Sequence, residues 1–224
     1  MKFKDVFKHT AFTAILLILL VACSPTSSTI TILHTNDTHS QVEPIAHGKR
    51  DGNHAGYARR MGVIQHEREK DPNLLLLDAG DWSQGTPYFN LFHGRVEIDA
   101  MNQMGYDAIT LGNHEFDYGM DGAMNVIEWA EYPYVSCNFY HEENGVKGET
   151  VLEASKVFEI GGRKIAFIGI TTPETFTKST PAYFQDDNGN YIYGISGGEN
   201  GDALYADVQA TIDSVEADYV IALG

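Results

Sequence analysis

The chain is expected to fold as a layered α/β domain. Short apolar runs recur along it, and segments with helical spacing stand between several of them. Three of the runs also end in corners rich in Asp, Asn, Gly and His. Taken in order, Ile30 to Leu33 is a candidate buried strand, and Gly56 to Lys70 has the period of an amphipathic helix. Leu74 to Leu77 is an unbroken leucine strand, followed after Val96 to Met104 (helix) by the strand Ala108 to Leu111. Ala123 to Ala130 reads as a helix and Tyr134 to Asn138 as a strand. His141 to Gly148 is polar and contains glycine, as a hairpin or loop would be. Lys164 to Ile170 and Tyr219 to Leu223 are further strands, with a helix over Ala203 to Ala217. Pro173 to Gly201 has no clear period. A loop of that length in a compact domain is usually functional or a decorated insertion.

Residues 1–22 read as an export signal rather than part of the fold. Lys2, Lys4 and Lys8 open the chain, and Ala11 to Ala22 is apolar apart from Thr13. That core is about a dozen residues, short of the roughly 20 that span a bilayer. Leu20-Val21-Ala22-Cys23 resembles a bacterial lipobox, in which cleavage leaves a lipid-modified Cys23; residues 23–29 then form a tether. The expected location is extracytoplasmic, on the membrane through that lipid alone. The plainer alternative is a cysteine near an ordinary cleavage site.

Residues 30–224 suffice for one domain with a sizeable core. Loss of three lysines and Asp5 with the signal takes the formal charge from −16 to −18. Such a surface disfavours a nucleic-acid polymer or an anionic lipid face. A small phosphate ester remains possible where metal ions reverse the local field. Of two cysteines only Cys137 would stay free, so no intramolecular disulfide is expected. No feature predicts a protein partner.

The chemistry gathers at three strand ends: Asp37-x-His39, Gly80-Asp81 and Gly112-Asn113-His114-Glu115. Loops leaving the same edge of a parallel sheet can bring their side chains together. Oxygen-rich ligation with some imidazole suits Zn²⁺ or Mn²⁺ and not a structural thiolate site. A carboxylate such as Asp81 can bridge two metals, and the preceding glycines permit tight turns. Each of these residues alone could be an ordinary loop cap; their joint recurrence argues otherwise.

With these blocks in this order, Ile-Leu-His-Thr-Asn-Asp-x-His, Gly-Asp and Gly-Asn-His-Glu-Phe-Asp-x-Gly, the chain resembles the 5′-nucleotidase branch of the calcineurin-like metallophosphoesterases. The resemblance covers about Ile30 to Gly224 and includes Gly169-Ile170-Thr171-Thr172-Pro173-Glu174-Thr175. It implies a four-layer α/β/β/α sandwich, two divalent metal ions (Zn²⁺ or Mn²⁺) and a small-molecule nucleotide substrate. It also implies that Asp37 and His39 ligate the first metal, that Asp81 bridges, and that Asn113 ligates the second. His114 would contact the phosphate and assist the leaving group, with Asp117 holding its imidazole.

What the family adds, and the chain lacks, is a His directly after a strand resembling Tyr219 to Gly224, a Gly-His-x-(His or Gln) block beyond it, and the nucleoside-holding C-terminal domain. None occurs before Gly224, so the chain reads as an N-terminal fragment, incomplete at its C-terminus and expected to be inactive by itself. The resemblance leaves 5′-nucleotides, UDP-sugars and 2′,3′-cyclic nucleotides open as substrates. The rival reading is a surface lipoprotein that binds a ligand or partner on the same scaffold without catalysis.

Other residues have blander readings. His34 fits a core or edge histidine, and His47, His54, His66, His93 and His141 fit surface positions. Asn36 fits either a phosphate contact or a turn cap. Asp78 fits support of the Gly80-Asp81 turn, and Glu115 fits acceptance of backbone N–H bonds. His114 could instead be only a structural partner of Asp117. Tyr88-Phe89 and Tyr183-Phe184 fit packing under a loop better than stacking on a base.

Overall fold

The computed structural model describes residues 29–49, 52–197 and 200–224. The expected signal segment, Cys23 and nearly all of the expected tether lie outside the described residues. Among the described residues no helix is long and apolar enough to cross a membrane.

Three parallel strands form the first sheet, in order β1 (Ile32–Thr35), β2 (Leu75–Asp78) and β3 (Ala108–Ile109). The leucine run shows why β2 is central. Leu74 and Leu76 face a core with Ile64 of α1 (Tyr57–Lys70) and with Ile98, Met101 and Met104 of α3 (Arg95–Met104). Leu75 and Leu77 turn to the other face, against Ile165, Phe167 and Leu223. A strand covered on both sides carries no polar alternation. The short helix α2 (Pro87–Phe92), which has no counterpart among the expected elements, starts on a Thr-Pro step that suits a first helical turn. α4 (Gly119–Trp129) begins earlier than its apolar period, which starts at Ala123.

The sheet opposite is β6 (Ser155–Ile160), β7 (Arg163–Gly169) and β9 (Tyr219–Leu223); β6 runs antiparallel and β9 parallel to β7. Its inner face meets the first sheet. Its outer face buries Ala166 and Ile168, on the side where α6 (Asp202–Ser214) packs against β7. Helices, sheet, sheet and helix make the four α/β/β/α layers. β6 was not among the expected strands. It is joined to β7 by Gly161-Gly162, both at positive φ, a two-residue hairpin turn.

A small third sheet holds β4 (Phe139–Glu143), β5 (Val146–Thr150) and β8 (Tyr193–Ile195). The polar stretch at His141 is therefore a hairpin, turning at Asn144-Gly145 with φ of 54° and 76°. Tyr134 to Asn138 is no regular strand. Tyr134 bridges to Ile109 and Val135 to Glu153, so the segment is shared between diverging sheets. Its polar residues form a buried knot. Asn138 accepts from Thr171 N–H at 2.9 Å and Ser136 Oγ at 3.3 Å, and it donates to the carbonyls of Thr171 and Ser196 at 2.8 and 3.1 Å. The neighbouring Cys137 thiol is buried and pushed up to about 11 by that burial, which leaves it an inert core group.

The unpatterned stretch after Pro173 contains α5 (Thr175–Lys178), a 3₁₀ turn at Pro181–Phe184 and β8. It is anchored by Phe184, fully buried 5.1 Å from Phe116, the aromatic of the Gly-Asn-His-Glu-Phe corner.

Candidate metal centre

The three strand ends meet. Beyond the strands the first loop continues to run beside the second. Asp37, His39 and Ser40 donate their N–H groups to the carbonyls of Gly80, Asp81 and Trp82 at 3.0, 3.1 and 2.7 Å. Following that path puts Asp37, His39, Ser40 and Asp81 in the left-handed region, with φ of 48°, 41°, 52° and 55°. Each such non-glycine residue costs on the order of 1–3 kcal/mol and persists only where its surroundings over-determine it. Two glycines make the approach possible. A Cβ on Gly80 would lie 2.3 Å from Gly112 N, and one on Gly112 would lie 2.1 Å from Asp81 Oδ1.

Asp37, His39 and Asp81 each present a ligand atom, and these atoms all lie within 4.8 Å of one another. Two ligands of one Zn²⁺ at 2.0–2.2 Å are separated by up to roughly 4.4 Å, so the trio is close to closing on a cation. The donor set fits. His39 Nδ1 is buried without a hydrogen-bond partner, and Nε2 is 3.7 Å from Asp37 Oδ1. Among the described residues no lysine or arginine pairs with Asp37 or Asp81. Converging carboxylates of this kind need positive charge from elsewhere.

Asn113 is buried beside them, and its carboxamide makes no side-chain hydrogen bond among the described residues. The next residue ties this third corner to the second, since His114 N–H donates to Asp81 Oδ1 at 2.9 Å. The His114 ring stands edge-on to His39, with centroids 5.2 Å apart. Its Nδ1 lies 3.0 and 3.2 Å from the two Asp117 oxygens, so the carboxylate holds the ring in place.

Two buried carboxylates hold the corners. Glu115 accepts from Asp81 N–H at 3.0 Å, Gly112 N–H at 2.6 Å and Ser83 Oγ at 3.1 Å. Burial, reinforced by the Asp81 charge, pushes its carboxyl up to about 8. Asp78 accepts from Gly80 N–H at 2.8 Å and Thr35 Oγ1 at 2.5 Å, and burial raises it to about 7. Both therefore have the structural roles expected of them. Asn36 donates to Asp37 Oδ2 at 2.6 Å. Ser83 and Tyr106 (2.7 Å from Thr35 Oγ1) also belong to this support, and no spacing in the sequence marks them.

The remaining histidines among the described residues are not part of the ligand trio. His34, His47, His54, His66, His93 and His141 are all exposed, His34 on β1 at a sheet edge. Phe89 and Phe184 pack inside as expected. Tyr88 and Tyr183 do not, Tyr88 reaching Glu43 at 2.8 Å and Tyr183 remaining 37% exposed.

The model of one family, the calcineurin-like phosphoesterases, matches residues 30–224. A snake venom 5′-nucleotidase from Crotalus adamanteus is 41% identical over 163 residues, covering 68% of this chain and 27% of that protein. A 5′-nucleotidase from Vibrio vulnificus is 34% identical over 187 residues, covering 78% of this chain and 32% of that protein. Among solved structures, a Thermus thermophilus 5′-nucleotidase precursor superposes with a TM-score of 0.67 at 29% identity, over 87% of this chain and 36% of its own. A Haemophilus influenzae NAD nucleotidase gives 0.65 at 27% identity, over 87% and 34%. The chain thus spans about a third or less of the length of these relatives. On the match across residues 30–224 and the fold it shares with these structures, the chain belongs to the calcineurin-like phosphoesterase family.

Proposed function

We propose that this domain is the catalytic part of a dinuclear metal-dependent phosphoesterase of the 5′-nucleotidase type, acting on phosphate esters of nucleotides. The observation that carries the reading is the convergence of Asp37, His39 and Asp81 within 4.8 Å, with the His114–Asp117 pair beside them. The nucleotidase names of the relatives support the substrate class. In this reading Asp37 and His39 would hold a first divalent ion, Asp81 would be shared with a second, and Asn113 would contribute to the second. Zn²⁺ and Mn²⁺ both suit the donors. Such ions supply a water deprotonated near neutral pH and offset charge on the phosphoryl oxygens.

The chain's own groups do the rest. Asp117 keeps the His114 ring in one orientation. Protonated, His114 donates from Nε2 to a phosphoryl oxygen or to the departing ester oxygen. Glu115 and Asp78 keep the corners in register by accepting backbone N–H groups. The test uses the full-length gene product with AMP, a 2′,3′-cyclic nucleotide and a UDP-sugar under Mn²⁺ and Zn²⁺. Hydrolysis of at least one is expected, and it disappears in EDTA. No hydrolysis of any, with the metals bound, would leave a non-catalytic binder on this scaffold.

We further propose that the protein is exported and lipid-anchored through Cys23, on the strength of the basic start, apolar core and Leu-Val-Ala-Cys ending. Cells fed labelled palmitate should label the parent and not Cys23→Ser. Equal labelling would refute the anchor.

A further inference from the structure

Behind the loop that carries Asp37 and His39 lies a polar cluster that the chemistry above does not use. Ser40, the residue after His39, is fully buried. Its hydroxyl donates to Glu97 and lies 2.5 Å from Thr86 Oγ1. Thr86 sits at the N-cap of α2 yet makes no side-chain cap bond, because its hydroxyl is spent on Ser40. Glu97 comes from the first turn of α3 and is fully buried, and its second oxygen, Oε2, has no partner. A buried carboxylate without a cationic partner costs several kcal/mol. Among the described residues its carboxylate is hydrogen-bonded to Ser40 of the metal loop alone.

That loop needs a tether. Asp37, His39 and Ser40 all hold left-handed backbone at φ of 41° to 52°, and the bonds to Gly80, Asp81 and Trp82 restrain them from one side only. The Ser40 hydroxyl supplies a buried restraint from the helix side. We propose that Glu97 is a positioning residue: through Ser40 it holds the first loop in the left-handed turn that aims Asp37 and His39 at a divalent cation. The inference rests on the metal-centre reading above.

The test is Mn²⁺ titration of the full chain by calorimetry, with each variant also melted in EDTA. Glu97→Leu and Ser40→Ala should each weaken Mn²⁺ binding about tenfold, as loss of a partner behind a ligand does. The double variant should be no weaker than the worse single. Glu97→Gln keeps an acceptor for the Ser40 hydroxyl and should bind close to the parent. Glu97→Leu should melt at or above the parent temperature, since it removes a buried carboxylate oxygen that has no partner. A merely structural role would not combine firmer folding with weaker binding. Parent-like Mn²⁺ affinity in Glu97→Leu and Ser40→Ala would overturn the tether and leave the metal centre standing. So would a loss of affinity in Glu97→Leu matched by a lowered melting temperature of that variant. Absence of Mn²⁺ binding by the parent itself would overturn the metal centre and the tether together.

Discussion

Replacing His114 with asparagine in the full-length gene product lowers kcat about 10²-fold or more, while Mn²⁺ affinity stays near the parent value. The separation follows from the geometry. The His114 ring lies beside the ligand trio and not within it, and what touches Asp81 is the His114 backbone N–H, which asparagine retains. Asparagine loses the imidazole proton and the 3.0 Å contact to Asp117. Asp117→Asn should lose less, because the ring remains and only its orientation is weakened. Steady-state kinetics at saturating Mn²⁺, read with a metal titration of the same variant, checks both. Unchanged turnover in His114→Asn would reduce the pair to a structural contact.

Asn138→Ala should destabilise the domain by about 3–5 kcal/mol, one of the larger losses available to a single side chain here. Its amide makes four bonds, all in a buried setting: three join the Tyr134–Asn138 segment to the loops after β7 and β8, and one is to Ser136 within the segment. Alanine leaves the Thr171 N–H and C=O and the Ser196 C=O short of partners where water does not reach. Urea unfolding in EDTA, which excludes any contribution from bound metal, measures the loss. A change under about 1 kcal/mol would mean that water enters and replaces the amide.

The sequence made some elements legible and hid others for reasons visible in the packing. The leucine run of β2 stood out because both its faces are dry. α1 stood out because its helical period matched its burial, with Tyr57 and Ile64 inward and Arg59, Glu69 and Lys70 exposed. β6 escaped because Ser155–Ile160 mixes charges with apolar residues on a half-buried edge, although Gly161-Gly162 marked its turn. Tyr134 to Asn138 read as a strand because it has strand composition, but it lies where two sheets part and pairs singly with each. The candidate site was legible because its residues sit in short corners directly after strands, where spacing survives as a signal. Glu97, Ser83 and Tyr106 were not, since they reach those corners from other elements with no fixed offset along the chain.

The most direct measurement is an anomalous difference map from a crystal soaked in Mn²⁺. Density bounded by the Asp37, His39 and Asp81 side chains, at coordination lengths of about 2.0–2.2 Å, is the predicted result. A map with no peak there, in crystals whose protein binds Mn²⁺ in solution, would contradict the convergence of the three corners on one ion.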